Sequence, residues 1–185
     1  MMMDSPKTVL IPAELYEKGD EEHYLRFNGM TPGAGDVTVA TRPQDGIVAV
    51  MAVSREEWEL HIRRGGAVAS PLLSVADGDF GQGRGGKGTR ADKGDKARAV
   101  NILLTETNFY FAVWYKTLRM AEVLPENSVD SILYYLQVLS RQFKLSRFDI
   151  NIDGHNADAV AAALRRYYPR ARALENYYED RQWTA

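Results

Sequence analysis

The chain has 185 residues, 45% hydrophobic and 26% charged, enough for one domain with its own core and too apolar for wholesale disorder. The absence of cysteine excludes disulfides, cysteine-ligated metal centres and thiol catalysis. A net charge of −2 excludes a uniformly basic protein, and no apolar run reaches the ~18 residues of a membrane span.

Met1-Met2-Met3-Asp4-Ser5-Pro6 lacks the basic and apolar regions of a secretory signal, so a soluble cytoplasmic protein is expected. Residues 7–11 predict a short strand stopped by Pro12. Asp20, Glu21 and Glu22 form a solvated acidic run before an apolar patch at Tyr24, Leu25 and Phe27. Residues 36–53 predict a hairpin: Val37, Val39 and the run from Ile47 to Val53 are rich in β-branched residues, and Pro43-Gln44-Asp45-Gly46 supplies the turn. Ser54 starts a helix, with Glu57 at capping-box spacing and Gly65-Gly66 as its stop; Trp58, His61 and Ile62 share one side.

The stretch from Asp77 to Arg98 holds seven glycines and one large apolar residue, Phe80, and predicts a long flexible loop. Residues 99–105 and 108–116 predict two paired strands, followed by a short helical piece from Leu118 to Leu124. Asn127 or Ser128 caps a helix at about 129–143, whose core stripe is Val129, Ile132, Leu136, Leu139 and Phe143; Tyr134 and Val138 lie nearly opposite. Residues 147–152 alternate as a strand, Asn156 caps an alanine-rich helix from Ala157 to about Tyr168, and 171–178 predict a last strand before a loose tail at 179–185. Hairpins first and helices later indicate a single α+β domain over 1–185: antiparallel hairpins, packed helices and a C-terminal strand-helix-strand unit, interrupted by the loop at 77–98.

Charge is unevenly spread, net −6 over residues 1–83 and net +4 over 84–185. Inside the loop Arg84, Lys87, Arg90, Lys93 and Lys96 recur every third residue, with Arg98 after them. In an extended chain that period places five cations on one side, as a strip able to follow a phosphate backbone. On the strand at 108–116, Phe109, Phe111, Val113 and Tyr115 form one face, and Tyr110, Ala112, Trp114 and Lys116 form the other. The second face has the composition of a base-stacking platform. These features predict a non-catalytic protein that binds single-stranded nucleic acid through Arg84, Lys87, Arg90, Lys93, Lys96, Arg98, Tyr110, Trp114, Lys116 and Arg119, without a cofactor. Tyr134, Val138 and Trp114 add apolar surface for a homo-oligomer.

Two other chemistries compete with this expectation. Asp149, Asp153, His155 and Asp158 bring carboxylates and a histidine toward one strand end, as a metal-dependent nuclease or phosphoesterase would need. Alternatively the glycine-rich segment is an assembly arm that orders on a partner. Gly81 to Lys87 meets the first part of a P-loop, but Gly88 stands where a hydroxyl is required and Thr89 comes one place late, so no P-loop is assigned.

Overall fold

The structure is a computed structural model and describes residues 2–77, 80 and 98–174. The N-terminal half is built on a three-stranded antiparallel sheet of β1 (Thr8–Pro12), β2 (Val37–Ala40) and β3 (Ile47–Val53), in the order β1-β3-β2. The central strand β3 carries only apolar side chains, as a strand covered on both faces must. Val48, Val50 and Ala52 join Val9 and Ile11 under Leu25 of α1 (Glu21–Phe27). Ala49, Met51 and Val53 face the other way and meet Trp58 of α2 (Arg55–Arg64) and Leu73 of α3 (Pro71–Val75). The β2–β3 connection is a tight turn: Asp45 and Gly46 both have positive φ, 50° and 77°, and Gln44 and Ile47 exchange backbone hydrogen bonds around them. That is the twist a two-residue hairpin loop requires, and Asp-Gly supplies it at little cost.

The C-terminal half is a five-stranded mixed sheet of β4 (Ala99–Leu104), β5 (Phe109–Tyr115), β6 (Thr117–Leu124), β7 (Asp149–Gly154) and β8 (Ala171–Ala173), in the order β6-β5-β4-β7-β8. β4, β5 and β6 are antiparallel neighbours; β7 and β8 run parallel to β4. One face carries Val100, Ile102, Phe109, Phe111, Ile150 and Ile152 and is covered by α4 (Val129–Ser140) and α5 (Ala157–Leu164). The other face carries Leu103, Tyr110 and Ala112 and is covered by Leu72 and Val75 of α3. Gly154, at the end of β7, has a φ of 89°, and a Cβ there would lie 2.1 Å from the Leu104 carbonyl oxygen.

The architecture is the expected α+β arrangement, with β7-α5-β8 as its strand-helix-strand unit. Several details differ from the sequence expectation. Residues 118–124 are not helical: Lys116, with a φ of 68°, turns the chain sharply and lays Thr117–Leu124 back along β5. Pairing with a neighbour outweighs the helix-forming tendency of Leu, Arg, Met and Glu there. The acidic run Glu21-Glu22 is the first turn of α1, where carboxylates favour the positive helix end. α3 was not anticipated. Asn156 precedes α5 in a left-handed conformation, and its side chain makes no capping hydrogen bond. The helix expected to about 143 ends at Ser140, and the one expected to about 168 ends at Leu164. The strand expected from 147 begins at Asp149, after a turn at Leu145–Arg147.

Candidate functional site

Arg84, Lys87, Arg90, Lys93 and Lys96 lie outside the described residues, as does the tail at 179–185. Arg98, Lys116 and Arg119 gather around Tyr115. The Arg98 and Arg119 guanidinium carbons lie 5.3 and 5.9 Å from the Tyr115 ring centroid, both in cation–π range. The two-faced pattern of β5 is present, yet both faces are covered. Tyr110 is fully buried, and its hydroxyl donates to the Asp4 carboxylate. The same oxygen accepts from Asn108 Nδ2 at 2.7 Å. Trp114 is half-buried beside Leu72, Val75 and Phe80. Tyr110 and Trp114 therefore do not present two open ring faces, because α3 lies over this side of the sheet.

The carboxylates proposed for a nuclease do not converge. Asp149 and Asp153 stand four residues apart on β7, ~13 Å along the strand. Asp149 faces Arg170 at 3.8 Å, and Asp153 is buried, with Oδ1 accepting from the Gly154 N–H at 2.8 Å. His155 and Asp158 are exposed. Among the described residues no group of three or more His, Asp or Glu side chains is placed to hold a metal ion.

A buried polar row crosses the α3 side of the five-stranded sheet. Arg172 Nε donates to Asn151 Oδ1 at 2.8 Å, Asn151 Nδ2 to Asn101 Oδ1 at 3.0 Å, and Asn101 Nδ2 to the Val75 carbonyl at 3.1 Å. Every polar atom of the two amides that this row uses is matched, so the row joins β8, β7, β4 and α3 without an unsatisfied link.

Clefts open at the surface, among them two lined by described residues. The larger, about 520 Å³, runs between the edges of β1 and β6, with Arg119 and Glu122 as its charged residues. The second, about 380 Å³, lies along α3 and is lined by Met2, Thr41, Arg42, Gln44, Ser70 and Ser74, with Val68 and Leu73 as apolar wall. Its lining holds one cation and no acid. Arg42 is exposed and has no ion-pair partner among the described residues. Thr41 Oγ1 accepts from the Ala49 N–H at 3.0 Å, which leaves its O–H free to donate. At the rim, Gln44 Nε2 donates to Asp77 Oδ2 at 3.2 Å. Ser70 occupies the N-cap position of α3, yet its buried hydroxyl caps nothing and has no hydrogen-bond partner. None of these residues stood out in the sequence. Pro43 and Gln44 read only as part of a turn, and the available signal was Ser70-Pro71, a helix start with proline at its first position. His61 is buried and stacks on Trp58 at 5.6 Å, and neither ring nitrogen has a hydrogen-bond partner among the described residues.

No protein-family model matches the chain, and no curated protein does. A solved structure from Bacteroides thetaiotaomicron, described as a protein with an actin-like ATPase fold and unknown function, is similar to it with a TM-score of 0.70 at 12% identity. The similarity covers 95% of this chain and 67% of that one. At that identity the likeness shows the fold alone. It nevertheless corrects two expectations, that the chain is a non-catalytic binder of single-stranded nucleic acid and that it is not an enzyme: the structure it resembles is described as having an actin-like ATPase fold, which points away from both.

Proposed function

We propose that the chain binds ATP in the 380 Å³ cleft along α3 and hydrolyses it. The observation that carries this reading is the lining: a guanidinium with no ion-pair partner among the described residues, beside hydroxyl and amide groups, with an apolar wall, on a fold that resembles one described as actin-like ATPase. A polyphosphate needs a cation with directed donors, and Arg42 presents a fork that matches two phosphate oxygens at once. Thr41 and Ser74 supply hydroxyls next to it. Met2, Val68 and Leu73 give the base a surface from which water is excluded.

Asp77 stands at the rim, steadied by Gln44. Its oxygen donors suit Mg²⁺, which is commonly held by one or two carboxylates together with the phosphates of its nucleotide. That ion would draw charge from the phosphoryl group; Arg42 binds and orients the phosphates, and Asp77 fixes where a hydrated cation sits against them.

The reading is tested by titrating the full chain with a fluorescent ATP analogue and measuring phosphate release. Arg42→Ala, at an exposed position, is expected to leave the melting temperature unchanged and to weaken nucleotide binding about tenfold or more. Asp77→Asn is expected to retain binding and lose phosphate release. Absence of saturable binding by the parent chain, or equal binding by Arg42→Ala, would overturn the assignment.

A further inference from the structure

We propose that α4 is a self-association surface, on which a second copy of the chain packs antiparallel about a two-fold axis. This surface lies across the five-stranded sheet from the α3 cleft, and the inference does not depend on nucleotide binding.

α4 buries Ile132, Leu136 and Leu139 against the sheet. Its outer face carries Asp130, Tyr134, Gln137, Val138 and Arg141, whose spacings of four, seven, eight and eleven residues keep them on one side of a helix. Tyr134 is 62% exposed and Val138 37%. A tyrosine and a valine left in water one helical turn apart are better covered than open.

Charge selects the occupant. The N-terminal end of the face is acidic, with Glu126 and Asp130, and the C-terminal end is basic, with Arg141 and Lys144. Asp130, Arg141 and Lys144 have no ion-pair partner among the described residues. Asp130 and Arg141 of one chain stand eleven residues apart, ~16 Å along the axis, too far to pair with each other. An antiparallel copy places Asp130 against the partner's Arg141, twice over by symmetry. The same geometry seats Tyr134 and Val138 at the centre and sets the two helix dipoles head to tail. Trp114, expected to join this surface, is instead on the opposite side of the sheet under α3.

One twelve-residue helix is ~18 Å long and covers less than the ~800 Å² per partner of a standard interface, so the dimer is weak, on the order of micromolar. Sedimentation equilibrium of the full chain is expected to show a monomer–dimer exchange that weakens as salt rises. Arg141→Asp and Asp130→Arg, both at exposed sites, should each weaken the dimer about tenfold or more, while lowering the melting temperature by no more than a few degrees, since each reversal also opposes the α4 dipole. Mixed in equal amounts, the two variants should associate again, because each supplies the charge the other lacks. A monomer at every concentration up to about 100 micromolar would overturn the proposal. So would a dimer indifferent to either reversal, or a mixture that stays monomeric.

Discussion

The two central strands solve one problem in different ways. β3 and β4 are each buried on both faces, yet β3 is hydrocarbon throughout while β4 carries Asn101 at its middle. β3 has antiparallel neighbours on both sides, one of them joined to it by the Asp45-Gly46 turn, so a short connection fixes its alignment. β4 meets β7 in parallel, with β5, β6 and α4 between them in sequence. No turn can align that pair. The bond from Asn151 to Asn101 does so instead, because a one-residue slip would turn one amide into the hydrocarbon face. A buried amide is thus spent where local sequence cannot set register, and omitted where it can.

Six substitutions break or sharpen this contrast, each read by chemical denaturation of the full chain. The largest effect is expected from the feature the strands share. Ile102→Ala and Met51→Ala should each cost about 3 kcal/mol, since both side chains are fully buried in hydrocarbon. Asn101→Leu should cost about 2 kcal/mol despite adding apolar volume, because it strands the Asn151 amide and the Val75 carbonyl. Adding Asn151→Leu should then cost less than it does alone, and strict additivity of the pair would refute the register role of the amides.

Ser54→Ala should cost about 1 kcal/mol. Ser54 follows β3 directly, accepts from the Glu57 N–H at 3.2 Å, and the Glu57 carboxylate accepts in return from the Ser54 N–H at 3.1 Å. The smallest effect belongs to Asp36, whose carboxylate accepts from Lys7 Nζ at 2.8 Å and from the Gly33 N–H at 2.7 Å, tying the chain before β1 to the chain before β2. The bond from Lys7, then that from Gly33, lowers its pKa below the ordinary aspartate value. Because the folded-state pKa is depressed, the stabilisation is present at neutral pH and is lost as pH falls through that value. Asp36→Asn should cost at most about 1 kcal/mol at pH 7. A difference from the parent that persisted in strong acid would show that the charge is not the cause.

The sequence makes the strands legible where alternation and turn chemistry agree. β2, β3, the Asp45-Gly46 turn and the capped α2 fall where Val37, Val39, Ser54 and Glu57 predict them. Both faces of β5 are assigned correctly from Phe109 to Tyr115, but Lys116, expected on the second face, is the turn residue beyond the strand. What covers the second face was not legible, since α3 is five residues long and too short for a helical period to show. That omission misplaces Tyr110, which looks like an open aromatic and is a buried hydrogen-bond donor. β6 was hidden for another reason: its residues favour a helix in isolation, and only the turn at Lys116 brings β5 within pairing distance. The cleft gave no signal because its lining comes from the N-terminus, the β2–β3 connection and α3, which meet only after folding.

Gly154 also bears on how kin of this chain are to be found. Identity of 12% with a structure of the same fold leaves little for sequence comparison to hold. At position 154, however, any other side chain would begin 2.1 Å from the Leu104 carbonyl oxygen, so a chain that keeps the β4–β7 ladder to its end must keep glycine there. Glycine at 154, fifty residues after the buried apolar end of β4 at Leu104, is thus a mark set by clearance between backbones.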